Sequence, residues 1–347
     1  MSNAHTAAVF VQTNDAVANA VAAFGREADG SLSRIGTYST GGRGNGMPHL
    51  PSQGSLVLAE GGARLLVANP GSDDVSVFAV GADGLEFLAR TPSGGAAPRS
   101  IAAHGDLVYV LNTGGEGPGS VTGFRLVASG SLEPIAGSTR PLSADEADGA
   151  QVAFDPSGRT LVVTERVTDR LSTYAVRGDG TLDGPIVQSS PGATPYGFDF
   201  SPDGVLVVTE AFGGQVGAAA ASSYVLEGSG ARPVSSSVGN TRSEVCWAVV
   251  TREGRHAYVT NFGDGTISSY AISPNGEIDL LEPVAATTRL GEKGLRDAAL
   301  SADGSFLYAL DADAQEIHAW VVGDEARLAP IGAVDGLPTT VAGLAAL

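Results

Sequence analysis

The sequence predicts an all-β fold, a seven-bladed β-propeller of four-stranded antiparallel blades, and three observations predict it. An apolar strand ending in Asn, Glu or Asp recurs seven times, at Asn14, Asn69, Asn112, Glu165, Glu210, Asn261 and Asp311, at intervals of about 50 residues. Each copy is followed by an alternating strand such as VSVFAV, LSTYAV or ISSYAI and then by a glycine hairpin signal such as ADGSL, GDGTL or PNGEI. The segment before Asn14 and the segment after Asp311 together span one period of the repeat, so TTVAGLAAL supplies the inner strand that the N-terminal segment lacks. A strand that closes the first blade seals the ring and protects its sheet edges.

Each blade is then an inner strand with a tight turn, as in VAFDPSGRT, FDFSPDGV, AVVTREGRH and AALSADGSF, followed by a second, third and fourth strand. The blades are expected at about 1–40 with 339–347, 50–95, 96–140, 148–190, 194–238, 243–288 and 294–335, as one propeller domain. Blade sheets pack face to face, so both faces of a run such as LVVT are buried and the run is apolar throughout. Trp247, Phe198, Phe200 and Phe154 read as core between blades.

Composition agrees with this reading and excludes several functions. Among 347 residues, 48 glycines and 18 prolines fit many short strands and turns, and 43% apolar residues suffice for a core. The net charge of −18 repels phosphate backbones, so nucleic acid is not an expected partner. No run approaches a membrane span, and the opening MSNAHTAAVFVQTN has neither the basic region nor the apolar length of a signal peptide. The single cysteine, Cys246, permits no internal disulfide. A cytoplasmic location, a monomer and no membrane association are the expectations.

The connections sort into two faces. First-to-second strand turns are short, whereas the inter-blade linkers, such as 36–53, 137–149, 235–245 and 287–295, are long and share a face with the Asn/Glu/Asp ring. Long loops on a rigid scaffold are where sites are built. Ring members read first as turn caps, but Glu165 and Glu210 form such caps poorly and reach farther. His49 is the one histidine on a long loop of that face and has the pKa of a general base. Arg99 in APRSI and Arg296 in GLRDAAL stand where Tyr196 stands in TPYGF, at the start of an inner strand, and could bind a carboxylate or phosphate. An ion pair with a loop acid explains them equally well. Arg43, Arg166, Arg170 and Arg242 read as exposed. Nucleophile-elbow, zinc-protease, dinucleotide and P-loop motifs are all missing, and no cofactor is expected.

Together the blade repeat, the SPDG turn, TEAFGG, CW followed by VTN, and the GLAAL end resemble the seven-bladed lactonase propeller family, which includes 6-phosphogluconolactonase and 3-carboxy-cis,cis-muconate lactonising enzyme. The resemblance spans essentially the whole chain. It implies a hydrolase or isomerase that opens or closes a lactone of a small, carboxylate-bearing substrate in the axial pocket. In the family, the working blade begins Pro-Arg-His and ends its next strand Asn-Glu, and the preceding blade supplies His-Pro-His. Here Pro195, Tyr196 and Gly197, then Thr209 and Glu210, take the first two places, and Asp148 to Gln151 take the third. The glutamate is kept; the arginine and histidines are not. Glu210, His49, Tyr196 and Glu165 are thus the expected catalytic candidates, and Arg99, Arg296, Gln151, Trp247 and Asn261 the substrate-binding ones, with no metal assigned. A propeller that binds a small molecule or protein without catalysis, and a cation held at the mouth by Glu165, Glu210 and Asn side chains, stay open as alternatives.

Overall fold

The computed structural model describes residues 7–47, 50–115, 117–228 and 230–347. Seven antiparallel sheets follow one another around a ring, and five are simple four-stranded meanders in chain order. In the first, Ala342–Ala346 is the innermost strand and pairs antiparallel with Ala7–Gln12, from Val9 opposite Ala346 to Gln12 opposite Ala342. In blade 3 the outer edge is split into Leu132–Pro134 and Arg140–Pro141, both paired with Ser120–Leu126. Among the described residues no helix is long and apolar enough to cross a membrane.

The core lies between blades. In Thr160–Glu165, Leu161 and Val163 pack against blade 3 with Tyr109, Leu111 and Val121, whereas Val162 faces blade 5 with Phe198, Leu206 and Val208. Alternate side chains therefore enter two different cores, which is why the strand carries no polar face. Buried tyrosines span the same junctions: Tyr109 donates to the Gly180 carbonyl at 2.6 Å and Tyr308 to that of Gly30 at 3.0 Å. Both glycines have positive φ, in hairpin turns where a Cβ would be strained.

The inner strands that ring the axis are Ala342–Ala346, Leu56–Ala59, Pro98–His104, Gly149–Phe154, Pro195–Phe200, Val245–Val250 and Leu295–Leu300. Their inward edges are satisfied by side chains from neighbouring blades. Ser100 Oγ accepts from the Val152 N–H at 3.1 Å, Asp199 from Val250 at 2.8 Å, and Asp297 from Gly343 at 3.0 Å. Burial pushes the Asp199 carboxyl up to about 6 and that of Asp297 up to about 7.

Candidate active site

The Asn/Glu/Asp ring fastens blades together. Glu210 is fully buried and accepts four hydrogen bonds: from Ser190 Oγ at 3.1 Å, the Gly192 N–H at 2.9 Å, Ser222 Oγ at 2.6 Å and Ser237 Oγ at 2.7 Å. Ser190 and Gly192 belong to the linker arriving from blade 4, so the carboxylate ties that linker to blade 5. Glu165 does the same one junction earlier, accepting from the Ser143 N–H at 3.0 Å, Ser143 Oγ, Thr168 Oγ1 at 2.9 Å and Ser172 Oγ at 2.6 Å. Asn261 repeats the pattern with neutral partners, donating to Thr266 Oγ1 and Ser268 Oγ and accepting from Asn240 Nδ2 at 2.9 Å. These side chains point into separate junctions and do not converge on the axis. Among the described residues no group of three or more His, Cys, Asp or Glu could hold a metal ion.

What does converge is set by a repeated backbone device. The residue just before or at the start of the inner strand has positive φ in five successive blades: Ala97, Asp148, Thr194, Glu244 and Gly294. A register shift follows in each. Such a bulge re-aims the next side chains, and left-handed non-glycine residues persist only where neighbouring structure holds them. Here each carbonyl accepts an N–H from the residue after the ring member: Thr113, Arg166, Ala211, Phe262 and Ala312 in turn. The result is two tiers at the long-loop end of the axis. Arg99, Ala150, Tyr196, Cys246 and Arg296 occupy the lower tier, and Arg166 and Phe262 are the large side chains of the upper one.

Tyr196 is the centre of this mouth. Its ring packs edge-on against Trp247 with centroids 5.7 Å apart, and the Arg166 guanidinium lies over it at 5.2 Å. Burial raises the Tyr196 hydroxyl pKa, and the charges of Arg166, Arg99 and Arg296 oppose that rise. Arg99 and Arg166 grip the two oxygens of one carboxylate, Asp148, and Arg99 also donates to the Gly149 carbonyl at 3.2 Å. Burial works to raise the Asp148 pKa, but Arg99 and Arg166 outweigh it and hold the group below the usual carboxylate range. Burial also lowers the pKa of Arg99, with Asp148 restoring part of it. Arg296 is 4% exposed, lies 4.7 Å over the Phe262 ring and reaches Asp313 at 3.4 Å. The Arg166 Nε is buried with no hydrogen-bond partner among the described residues. Three guanidiniums, with Asp148 shared by two of them and Asp313 against the third, leave the mouth net positive in a chain of net charge −18.

The floor comes from the linker into blade 2. Trp247 Nε1 donates to the Ser52 carbonyl at 2.9 Å, and Ser52 Oγ donates to that of Arg99 at 2.7 Å. Gln53 lies alongside blade 6 as a short strand would, giving Nε2 to the Ala248 carbonyl at 2.7 Å and taking the Ala248 N–H at 3.1 Å. Gly197 makes room for it, since a Cβ there would overlap Gln53 Oε1 and stand 2.6 Å from the Cys246 carbonyl oxygen. Gln151 pairs with both backbone groups of Phe198 in the same way. It caps a strand edge and does not face the mouth's arginines.

Of the residues singled out from the sequence, Tyr196, Arg99, Arg296 and Trp247 thus meet at the mouth. Glu210, Glu165 and Asn261 sit in blade junctions, Gln151 caps an inner strand, and His49 lies outside the described residues. Arg166, expected to be exposed, is instead packed on Tyr196 with a side chain only 19% exposed. Phe262 and the Ser52–Gln53 floor were not anticipated, and Asp148 was read only as standing in the place of the family's histidine motif. The signal for Asp148 was its place in blade 4, one residue before the inner strand, where its counterpart in blade 3, Ala97, precedes Arg99 by two.

The model of the family described as lactonase with a seven-bladed β-propeller matches residues 16–138 and 114–216. None of the curated proteins matches the chain. Among solved structures, the periplasmic gluconolactonase of Pseudomonas aeruginosa is 17% identical, with 97% of this chain and 98% of that one covered at a TM-score of 0.74. A 6-phosphogluconolactonase candidate from Bacteroides uniformis is 18% identical, with 98% and 99% covered at 0.72. A protein from Lactobacillus plantarum is 16% identical, with 99% of each chain covered at 0.74. At these identities the likeness is one of fold.

Proposed function

This chain belongs to the family of seven-bladed β-propeller lactonases, and from that premise we propose that its axial mouth binds a small lactone bearing a carboxylate or phosphate and opens it by hydrolysis. The observation that carries this reading is the convergence of Arg99, Arg166 and Arg296 on Tyr196, with Asp148 shared between two of them. The guanidiniums hold the substrate's anionic group and stabilise the oxyanion that forms when the lactone carbonyl is attacked. Asp148, kept ionised by its arginines, takes the proton of the attacking water. The ring C–O bond then breaks, and the same proton passes from Asp148 to the departing ring oxygen, leaving a hydroxy acid. A base of lowered pKa suits an activated cyclic ester better than an ordinary one. Glu210 and Glu165 act in this reading as fasteners.

One observation favours a second reading, anion binding without turnover: the family's acid, Glu210, is enclosed by four donors. A pH-stat assay on gluconolactone and its 6-phosphate separates the two. Hydrolysis above the spontaneous rate, a raised KM for the phosphorylated lactone in Arg166→Ala, and a loss of kcat in Asp148→Asn support the lactonase. Saturable binding of phosphorylated ligand with no acid release supports the binder, and neither activity nor binding discards both.

A further inference from the structure

The axis does not run open from face to face. Gln53 and Gln151, paired with inner-strand backbone, separate the arginine mouth from a second cavity of about 440 Å³ that opens among the short turns, beside His104 and Asp155. Its walls come from the inner strands of blades 7, 1, 2, 3 and 4. Ala103, Ala153, Ala299 and Ala346 are all partly exposed along them, so the bore is kept wide by methyl groups. At its inner end is Asp297, 3% exposed, with Oδ2 taking the Gly343 N–H at 3.0 Å. The neighbouring Arg296 is turned to the opposite end, over Phe262 and towards Asp313.

We propose that this cavity is a second ligand site, which takes a small primary ammonium ion with an apolar body, its nitrogen at Asp297 and its hydrocarbon among the four alanines. A buried carboxylate is costly unless donors or a cation meet it, and the two backbone N–H groups that act on this one, of Gly343 and of Asp297 itself, leave acceptor capacity to the cavity. A cavity of this size matches a small organic ligand. The net charge of −18 concentrates cations at the protein, whereas an anion entering here meets Asp155 and Asp297. The groups facing Asp297 from other elements are consistent with this. Cys246, on the inner strand of blade 6, is held neutral as a thiol by its own burial, and His104 and Asp155 stand at the outer rim. Because burial pushes the Asp297 carboxyl up to about 7, the ammonium ion binds the ionised fraction and displaces a proton below that pH.

Isothermal titration calorimetry of the full chain with cyclohexylammonium chloride at physiological salt tests this. Saturable one-site binding is expected at pH 8. It should weaken about tenfold at pH 6, following the ionised fraction of a group with a pKa near 7. Cyclohexanol, of the same shape and uncharged, should not bind. Asp297→Asn should weaken binding at least tenfold, and Ala103→Phe, which fills the bore without touching the carboxyl, should do the same. Should Asp297→Asn fail to fold, Ala103→Phe and the pH series decide. No saturable binding at millimolar ligand, equal binding by a folded Asp297→Asn or by Ala103→Phe, or equal affinity at the two pH values overturns the proposal.

Discussion

Replacing Glu210 distinguishes a fastener from a catalytic acid, because the two roles predict opposite pairs of measurements. Glu210→Ala removes the acceptor of four hydrogen bonds in a fully buried site. Hydrogen bonds to a charged group contribute about 1.5–3 kcal/mol each, but three of the four donors are hydroxyls that can rotate to other acceptors. The Gly192 N–H cannot rotate, and its orphaning together with the lost packing brings the expected cost to about 3–5 kcal/mol. With ~2 °C per kcal/mol for a chain of this size, the melting temperature should fall by roughly 6–10 °C. Glu210→Gln keeps one oxygen and nearly the same volume, and should lose less than half of that. Thermal melts followed by circular dichroism, paired with pH-stat turnover of the folded protein, read both quantities. The fastener reading expects Glu210→Gln to melt lower and to turn over normally. A variant that melts with the wild type and loses turnover a hundredfold would overturn the fastener role and return Glu210 to the chemistry.

Three further outcomes follow from other parts of the ring. Gly197→Ala should destabilise by several kcal/mol or expel Gln53 from the axis, because the new Cβ meets backbone on one side and Gln53 on the other; the emission of Trp247, whose indole donates to Ser52, reports the displacement. Asp297 has a folded-state pKa above its unfolded value, so folding takes up a proton between about pH 4 and 7 and stability falls as pH rises through that window. Asp297→Asn should flatten this slope and be the more stable protein at pH 8, as urea titrations at pH 5 and pH 8 would show; an unchanged slope refutes the assignment. Deleting Ala342–Leu347 uncovers Val9, Phe10 and Val11 and should abolish cooperative unfolding, whereas a normal melt would mean that blade 1 holds without its inner strand.

The ring was legible in the sequence because its signals are local and repeated. An apolar run, an alternating run and a glycine turn specify a meander, and seven copies with a split one specify closure. Arg99 and Arg296 were legible for the same reason, since they share a place in the repeat with Tyr196. Side-chain direction beyond the strand ends was not legible. The turn of the chain at Asp148, Thr194 and Glu244 relies on left-handed residues of ordinary type, which carry no mark in the sequence as a glycine would. That turn is what brings Asp148 between Arg99 and Arg166, and the upper tier is what lays Arg166 on Tyr196. The polar shells of Glu165 and Glu210 are assembled from hydroxyls contributed by linkers, a turn and third and fourth strands, each unremarkable by itself. Gln53 meets Ala248 across 195 residues of chain, a contact that no periodicity foretells.

The pairing of Ala342–Ala346 with Ala7–Gln12 also orders events in time. During synthesis, blades 2 to 6 can each close on neighbours already made, but the strand Ala7–Gln12 waits, with its inner edge uncovered, until Ala342–Ala346 has left the ribosome. For that interval the nascent protein is an open arc with two exposed ends. The strand whose inner edge stays uncovered longest is therefore Ala7–Gln12.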